Sequence, residues 1–271
     1  MTKKQRAFLK WAGGKYALSD VIAKMLPEGD VLVEPFVGAG SVFLNSNYKR
    51  YLLNDINKDL INLYNLLKLS PDQFIKDAVN YFSPAYNQAE MYYQLRAEFN
   101  ASTDPYHRSL LFLYLNRHGY NGLCRYNKSG GFNVPFGKYK KPYFPEQELN
   151  AFADKAQLAE FTCLGYREIF ERVKPGDVVY CDPPYVPLSK TASFTSYSGN
   201  GFGLDEQADL ANAAEESTVN KDVSVLISNH DTIWTRKIYQ HAEQIKSLKV
   251  SRTISQQGAT RKKVGELLAL Y

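Results

Sequence analysis

The sequence predicts an α/β fold in which one domain is interrupted by an inserted segment of helices and a hairpin. Three observations support this prediction. Short apolar runs that end at turn residues alternate with helix-periodic stretches near both ends of the chain. Residues 71–118 show helical periodicity without a strand, and residues 119–144 are rich in Gly and Asn, as hairpins are. The predicted domains are residues 1–57 together with 158–271, and an insertion of residues 58–157.

The composition is typical of a protein with a sizeable hydrophobic core. Of 271 residues, 44% are hydrophobic, and the formal net charge is +5. No apolar run approaches the ~18 residues of a membrane span and the N-terminus lacks a secretory core, so we expect a soluble, intracellular protein. The cysteines, Cys124, Cys163 and Cys181, form no CxxC pair, which argues against a disulfide framework and a zinc site. We expect no bound metal.

The first predicted strand, Asp30–Phe36, runs into a glycine turn. Gly38 and Gly40 stand where the chain leaves the strand and enters a helix, and glycine there permits positive φ and the close approach of a ligand. A dinucleotide-binding turn needs a third glycine where this chain has Phe43. The shortened turn, with the aromatic Phe36 before it, instead suits a cofactor without phosphate, such as S-adenosylmethionine.

The second predicted strand, "YLLND", ends at Asp55. A carboxylate at this point in a nucleotide-binding α/β unit suits hydrogen bonds from ribose hydroxyls. The structural alternative is a helix cap, since acids are common at strand ends. The helix-periodic stretch "INKDLINLYNLLKL" follows, and Asn57 is predicted to be its N-cap.

The insertion carries an uneven charge distribution. From Pro105 to Pro145 there is no Asp or Glu, and tyrosines and phenylalanines are interleaved with basic residues. The basic residues are Arg108, Arg117, Arg125, Lys128, Lys138, Lys140 and Lys141. This pattern suits a polyanion whose bases can be stacked or wedged apart, that is, a nucleic acid. The alternative is a solvated basic face beside a tyrosine-rich core.

Alternation of strand and helix resumes after the insertion. The strand candidates are "AEFTCLG", "DVVYCDPPY" and "VSVLISN". The polar segment Val186–Gly203 is predicted to be a loop that becomes ordered on binding, and the helix "DEQADLANAAEE" follows it.

The second of these strands ends in Asp182, Pro183, Pro184 and Tyr185. A rigid turn would explain the prolines but not the acid and the aromatic residue beside them. In open α/β sheets, ligands bind at the carboxyl ends of strands, where this tetrapeptide lies. Asp182 and the Pro183 carbonyl would accept N–H bonds from the exocyclic amine of adenine and stabilise the charge that develops as it is methylated. Tyr185 would stack on a base flipped out of the duplex.

Two other chemistries are disfavoured. Methylation of cytosine C5 would need a thiol nucleophile, but Cys181 should face away from Asp182 by strand alternation. The stretch "FLKWAGGKYAL" is not a P-loop, because GxxxxGK[ST] requires glycine where Leu9 stands and Ser or Thr at Tyr16.

The chain resembles the Dam-type DNA adenine-N6 methyltransferases, alpha-group amino-methyltransferases that act on GATC. The resemblance runs over nearly the whole chain, in the order glycine turn, insertion, DPPY. It is carried by "FLKWAGGK", "EPFVGAGSVFLN", "LNRHGYNGLCRYN", "FNVPFGKYKKPYF", "VVYCDPPYVPLS", "LISNHDT" and "TRKKVGELLALY". It implies a Rossmann-like methyltransferase fold that binds S-adenosylmethionine, with the insertion as a target-recognition domain for duplex DNA. A monomer in the bacterial cytoplasm, associated with the nucleoid and serving DNA replication and mismatch repair, is the corresponding expectation.

The resemblance also implies roles for individual residues. The catalytic motif is Asp182, Pro183 and Tyr185. The cofactor-contacting positions are Trp11, Lys15, Phe36, Gly38, Gly40, Asp55 and Asp182, with Lys15 as partner for the methionine carboxylate.

Further residues are implied in DNA binding. Tyr120 and Asn121 resemble residues that enter the duplex near the displaced adenine. Base-reading positions are Leu123, Arg125 and Pro135, and Lys10 reads the first guanine. Phosphate contacts are Arg96, Arg117 and Lys140. Independently, a guanidinium such as that of Arg125 is the usual bidentate reader of guanine. Lys138 stands where the family has Arg, so the charge is kept but the planar fork is lost.

Two alternatives remain open from the residues. The same fold could act on RNA or on a protein side chain, although protein glutamine methylation usually goes with Asn in place of Asp182. The chain could also be a catalytically silent DNA-binding module, which the intact motif and the Gly38–Gly40 turn argue against.

Overall fold

The structure is a computed structural model that describes residues 4–185, 202–251 and 263–271. Most of the predicted loop Val186–Gly203 lies outside the described residues. The strands are β1 (Val31–Glu34), β2 (Arg50–Asn54), β3 (Ala159–Thr162), β4 (Val178–Cys181), β5 (Ser224–His230), β6 (Gln244–Ser251) and β7 (Lys263–Leu270). The α-helices are α1 (Ser19–Met25), α2 (Ser41–Asn45), α3 (Lys58–Leu69), α4 (Pro71–Ala78), α5 (Ala89–Ala101), α6 (Pro105–His118), α7 (Glu146–Ala156), α8 (Tyr166–Arg172), α9 (Leu204–Lys221) and α10 (Ile233–Ile238). None of the helices described is long and apolar enough to cross a bilayer.

The strands form a mixed sheet in the order β3-β2-β1-β4-β5-β7-β6. β1 pairs in parallel with β2 and β4, and β4 pairs in parallel with β5, while β7 runs antiparallel to β5 and β6. The predicted α/β fold is confirmed, as are the five predicted strands. Because parallel neighbours end at the same edge, the sheet places the ends of β1, β2 and β4 side by side.

The C-terminal pair β6 and β7 was not predicted from the sequence. β6 is an edge strand that carries Lys246 and Lys249, and none of its residues with a described burial is buried, so it lacks the apolar run that identified the central strands. β7 is buried because it lies between β5 and β6. The pairing of β7 with β5, for example Leu226 with Leu270, joins residues that are distant in sequence.

Contacts divide the chain into two compact units. The first unit comprises residues 1–19, 38–46 and 57–163, and the second comprises residues 20–37, 47–56 and 164–271. The functional division expected from the sequence, residues 1–57 and 158–271 against 58–157, stays a prediction.

The first unit is mainly helical. The predicted helices correspond to α3, α4, α5 and α6, and the sequence did not indicate α7. Asn57 caps α3, since its side chain accepts hydrogen bonds from the N–H groups of Asp59 (3.0 Å) and Leu60 (3.2 Å), which confirms the predicted N-cap. An aromatic cluster of Phe8, Tyr64 and Phe152 lies in its core.

The predicted hairpin after α6 is present in a reduced form. Its ladder consists of two isolated antiparallel bridges, Gly119 with Phe136 and Tyr126 with Phe132. Between them the chain turns at 127–131, where Asn127 accepts a hydrogen bond from Gly130 and donates one to Gly131. A ladder this short cannot stabilise itself, so the hairpin depends on contacts with the helices.

The core of the second unit lies around β4 and β5. It includes Val179, Val225 and Ile227 of the strands and Leu210 of α9. Cys181 belongs to the same cluster and is fully buried, and this burial raises the pKa of its thiol well above the usual value. A buried, protonated thiol is a poor nucleophile, and the expectation that Cys181 faces away from Asp182 stays a prediction.

Candidate functional site

In the second unit, three predicted site residues follow neighbouring parallel strands. Phe36 lies two residues after β1, and Asp55 and Asp182 come directly after β2 and β4. Since these strands are adjacent and parallel, the three residues share the carboxyl edge of the sheet, the edge at which open α/β sheets bind ligands. Both carboxylates are half-buried. The edge therefore combines an aromatic ring with two hydrogen-bond acceptors.

A buried asparagine holds this edge in place. Asn54, the last residue of β2, donates from Nδ2 to the carbonyls of Pro35 (3.0 Å) and Leu164 (2.9 Å). Its Oδ1 accepts from the Leu164 N–H (2.9 Å). Phe36 is fixed by ring contacts with Tyr166 and Phe202, at centroid distances of 5.6 and 5.5 Å. The backbone beside Asp55 is consequently anchored to both flanking segments.

The prolines after β4 are held by a buried amide network. The Pro184 carbonyl accepts a hydrogen bond from Gln207 Nε2 of α9 (2.5 Å). Gln207 Oε1 accepts in turn from Asn229 Nδ2 (2.8 Å), and Asn229 also donates to the Tyr239 hydroxyl (2.9 Å). All three partner side chains are buried. The direction of the Asp182–Tyr185 segment is thus set by α9 and β5 as well as by the prolines.

Tyr185 is oriented by two further strands. Its hydroxyl donates to Glu266 Oε1 of β7 (2.6 Å), and its ring meets the His230 ring edge-on at 4.8 Å. Burial and the nearby carboxylates of Asp182 and Glu266 raise the pKa of Tyr185 well above its usual value. The phenol therefore remains neutral and acts as a hydrogen-bond donor.

Sequence reasoning missed Glu266, Gln207 and His230. His230 lies in "LISNHDT", a segment that carried part of the resemblance, so the signal for it was present. Glu266 likewise lies in "TRKKVGELLALY", another segment that carried the resemblance, whereas Gln207 belongs to no such segment. Their contacts with the Asp182–Tyr185 segment arise only when β7 and α9 are placed in the fold.

In the first unit, the glycine–lysine stretch forms a tight turn. The Gly14 N–H donates to the Trp11 carbonyl (3.3 Å), and Gly13 has a left-handed φ of 78°. Lys15 is buried, and its Nζ donates to the Gly13 carbonyl at 2.6 Å.

The turn before α2 packs closely against the same stretch. Gly38 (φ 48°) and Gly40 (φ 70°) both adopt left-handed conformations. A Cβ at Gly38 would lie 2.9 Å from Trp11 Nε1, which is too close for a real side chain. The Tyr64 hydroxyl donates to the Gly38 carbonyl at 2.5 Å. The first unit therefore brings Trp11 and the glycine turn together.

Gly38→Ala should destabilise the protein by more than left-handed strain alone. Alanine at positive φ costs about 1–2 kcal/mol, and the clash with Trp11 should add about 1–3 kcal/mol. Gly130→Ala is the matched control, because Gly130 also has a positive φ (78°) but nothing lies within 4 Å of an added Cβ. The free energy of unfolding is measured by urea titration of both variants. If both variants lost the same free energy of unfolding, the close approach of the added Cβ to Trp11 would not contribute to the cost.

The first unit also gathers the predicted base-reading residues on the segment 119–137. Tyr120 is 43% exposed, and its N–H donates to the carbonyl of the exposed Pro135 (2.8 Å). Asn121 has a φ of 53°, which makes a sharp turn at the tip beside Tyr120. Leu123 is half-buried and Arg125 is exposed. These side chains therefore lie on one short, reversed segment of chain.

Lys10 is tied to this segment by a buried asparagine. Asn116 Oδ1 accepts from the Lys10 N–H (2.9 Å), and Nδ2 donates to the carbonyls of Lys10 (2.7 Å) and Gly122 (3.2 Å). The Lys10 ammonium lies 3.8 Å from the centroid of the Tyr139 ring. Burial, together with the positive charge of Arg117, lowers the pKa of Lys10 to about 8.

The predicted phosphate contacts differ in exposure. Lys138 and Lys140 are exposed, and Lys138 has a left-handed φ of 54°. Arg96 donates to the Val134 carbonyl (3.1 Å) and stacks on Tyr93. Arg117 is only 8% exposed.

Arg117 is the predicted phosphate contact that the structure supports least. Its guanidinium donates to the carbonyls of Tyr143 (3.1 Å) and Phe8 (3.2 Å). These buried bonds favour a structural role. Arg108 is likewise used internally, in a bidentate pair with Asp59. The charge pattern of the insertion therefore overstates the exposed positive charge by at least these two residues.

Comparison with known proteins shows which family model the chain matches. Residues 11–254 match the family model described as D12 class N6 adenine-specific DNA methyltransferase. The chain is 62% identical over 269 residues to the "DNA adenine methylase" of Vibrio cholerae serotype O1, covering 99% of this chain and 97% of the relative. It is 61% identical over 269 residues to the "DNA adenine methylase" of Escherichia coli (strain K12), covering 99% and 96%. Among solved structures, a METTL16 methyltransferase domain aligns with a TM-score of 0.40 and 8% identity, covering 94% of this chain and 80% of that one.

Proposed function

Because the chain belongs to the D12 class of N6 adenine-specific DNA methyltransferases, we propose that it methylates N6 of adenine within GATC in duplex DNA, with S-adenosylmethionine as methyl donor. The observation that carries the proposal is the segment Asp182–Tyr185, anchored at the carboxyl edge of the sheet beside Asp55. We further propose that it acts as a monomer in the bacterial cytoplasm, associated with the nucleoid.

The residues present fit S-adenosylmethionine. The Gly38–Gly40 turn lacks the third glycine of a pyrophosphate site, while Asp55 offers a carboxylate to ribose hydroxyls. Phe36 and Trp11 supply aromatic surface, and Lys15 has an ammonium for the methionine carboxylate. When bound, the cofactor supplies a methyl group on a positively charged sulfur. The chain's own task is to hold the adenine amine in line with that methyl group.

Asp182 and the Pro183 carbonyl perform that task in this proposal. The lone pair of the adenine amine is delocalised into the ring, so the amine is a poor nucleophile. Two acceptors that bind its N–H groups turn the lone pair out of the ring plane and stabilise the positive charge that develops on N6. The Pro184–Gln207 hydrogen bond keeps these acceptors in a fixed direction. Tyr185, held by Glu266, stacks on the flipped base.

The first unit supplies the DNA contacts in this proposal. Tyr120 and Asn121 at the sharp turn enter the duplex and fill the space left by the displaced adenine. The proposed base readers are Lys10, Leu123, Arg125 and Pro135, and the proposed phosphate contacts are Arg96, Lys138 and Lys140. Arg117 is left out of the phosphate contacts, because its guanidinium donates to the carbonyls of Tyr143 and Phe8. Phosphate contacts position the protein, whereas base contacts specify the sequence.

The proposal is tested by labelled methyl transfer onto duplexes that differ by one base within GATC. We expect transfer to the GATC duplex and a loss of roughly 1–3 kcal/mol in transition-state binding for each substituted base. Titration with S-adenosylmethionine is the companion measurement. DNA binding without cofactor binding or transfer would instead identify a catalytically silent DNA-binding module.

Binding of GATC duplexes should weaken above pH 8. Since the pKa of Lys10 is lowered to about 8, its charge is lost as the pH rises through 8 rather than near 10.5. Above that value the contribution of Lys10 should fall by at most about tenfold per pH unit. Equilibrium affinity is measured from pH 7 to 9, with Lys10→Arg as the control because a guanidinium stays charged. An identical pH dependence in this variant would exclude Lys10 as the source.

A further inference from the structure

The two neighbours of Arg125 are both attached to the start of α3. The Tyr126 hydroxyl donates to Asp59 Oδ2 (2.7 Å), and Asn57 Nδ2 donates to Cys124 Sγ (3.5 Å). In an extended chain, alternate residues point to the same side. Residues 124 and 126 therefore face α3, and Arg125 between them faces away from it. This agrees with the buried Cys124 and the exposed Arg125.

Asp59 is itself held rigidly. Arg108 of α6 binds it through two parallel hydrogen bonds, Nε to Oδ1 (2.9 Å) and Nη2 to Oδ2 (3.0 Å). The remaining amino group of Arg108 donates to the carbonyls of Phe99 (2.6 Å) and Ser102 (2.9 Å). The side chains of Arg108 and Asp59 are 22% and 12% exposed, so solvent screens their interaction only partly. Charge-assisted bidentate pairs of this kind are geometrically specific.

Arg125 needs such support from outside its own hairpin. The hairpin is joined by only two isolated bridges, and Arg125 contacts the opposite arm through Asn133, with Nε to Oδ1 (2.7 Å) and Nη2 to the carbonyl (3.1 Å). Bidentate reading of a guanine requires the guanidinium to be placed within about 0.5 Å. Two bridges alone are too few to provide that precision.

We propose that Tyr126 and Asp59 are positioning residues that orient Arg125 toward the guanine it reads, and so set specificity at that base pair. The inference rests on the proposed function, in which Arg125 is a base reader. The hydrogen bond from Tyr126 to the rigid Asp59–Arg108 pair fixes the position of the backbone at Tyr126, and so that of Arg125 beside it in the chain. Neither Tyr126 nor Asp59 needs to touch DNA for this effect.

The test is Tyr126→Phe, which removes a single hydroxyl and keeps the ring. Tyr106→Phe is the matched control, because the Tyr106 hydroxyl donates to Asp77 Oδ2 at the same distance of 2.7 Å, elsewhere in the first unit. For each variant, kcat/KM is measured on GATC and on duplexes substituted at each position. Tyr126→Phe should lower discrimination by roughly three- to tenfold at the base pair read by Arg125 and at no other. Tyr106→Phe should leave discrimination unchanged at every position.

A double-mutant cycle separates this inference from the function on which it rests. In the Arg125→Ala background, Tyr126→Phe should cause no further loss of discrimination, because the side chain that it orients is gone. If Arg125→Ala alone left the discrimination in kcat/KM unchanged at every base pair, the assignment of Arg125 as a base reader would fail. If Arg125→Ala relaxed one position and Tyr126→Phe did not, or if Tyr126→Phe relaxed all positions equally, the positioning role would be overturned. Thermal unfolding of Tyr126→Phe and Tyr106→Phe checks that the two variants lose similar stability.

Discussion

Asp182→Ala is expected to lower kcat for methyl transfer by about 100- to 1,000-fold while largely sparing the affinity for duplex DNA. The substitution removes the carboxylate that, in the proposed mechanism, accepts a hydrogen bond from the adenine amine and stabilises its developing charge. Losing one preorganised group of this kind typically costs about 100- to 1,000-fold in kcat. The proposed DNA-binding residues are elsewhere in the chain, so affinity should change little. Single-turnover transfer of a labelled methyl group and a DNA-binding titration measure the two effects separately.

The matched control for this variant is Asp177→Ala. Asp177 precedes the same strand, β4, and its carboxylate accepts a hydrogen bond from the Lys174 N–H (2.8 Å) at the opposite end of the strand. It should lose some stability but retain turnover. Asp182→Asn is the complementary variant, since it keeps the shape of the side chain and removes the charge. Normal turnover by Asp182→Ala would exclude the proposed catalytic role.

Arg125→Ala is expected to relax the preference for one guanine of GATC. A bidentate contact between arginine and guanine contributes about 1–3 kcal/mol of discrimination, so the ratio of kcat/KM at that base pair should fall by roughly five- to 150-fold. The other positions should keep their discrimination, because the other proposed readers are unaltered. The measurement is methyl transfer onto the full set of single-base variants of GATC.

Two variants control for charge in this experiment. Lys128→Ala removes an exposed positive charge from the same hairpin, and should weaken binding slightly and equally for all sequences. Arg125→Lys keeps the charge of Arg125 but removes the planar fork, so it should resemble Arg125→Ala in specificity. An unchanged preference in Arg125→Ala would contradict the base-reading role.

Much of the fold was predictable because its signals are local. The central strands are apolar runs, and α3 begins at an asparagine whose side chain caps the first turn, as predicted. The glycines at positions 38 and 40 were expected to allow positive φ, and both adopt it. Each of these features depends on residues within one or two turns of each other, so sequence patterns describe them well.

The candidate site was less predictable than the fold. Asp182 and Tyr185 could be identified because a carboxylate and an aromatic ring suit the binding of an adenine amine and its base. Their hydrogen-bond partners could not be identified. Tyr185 is held by Glu266, which is 81 positions away. The basic residues of the insertion were all counted as available to a polyanion, whereas Arg108 and Arg117 serve internal hydrogen bonds. Composition records how many charges a segment has but not where they point.

The sequence by itself determined the α/β class, the order of the glycine turn, the helical and hairpin segments and the DPPY segment, and the residue types available for chemistry at the strand ends. Those features follow from periodicity, turn residues and side-chain chemistry, which are properties of short stretches. Only the tertiary structure decided that β7 lies between β5 and β6, that Gln207 anchors Pro184, and that Asp59 holds the neighbour of Arg125. The physical reason is that these contacts join residues far apart in the chain, and their geometry exists only once the elements have packed.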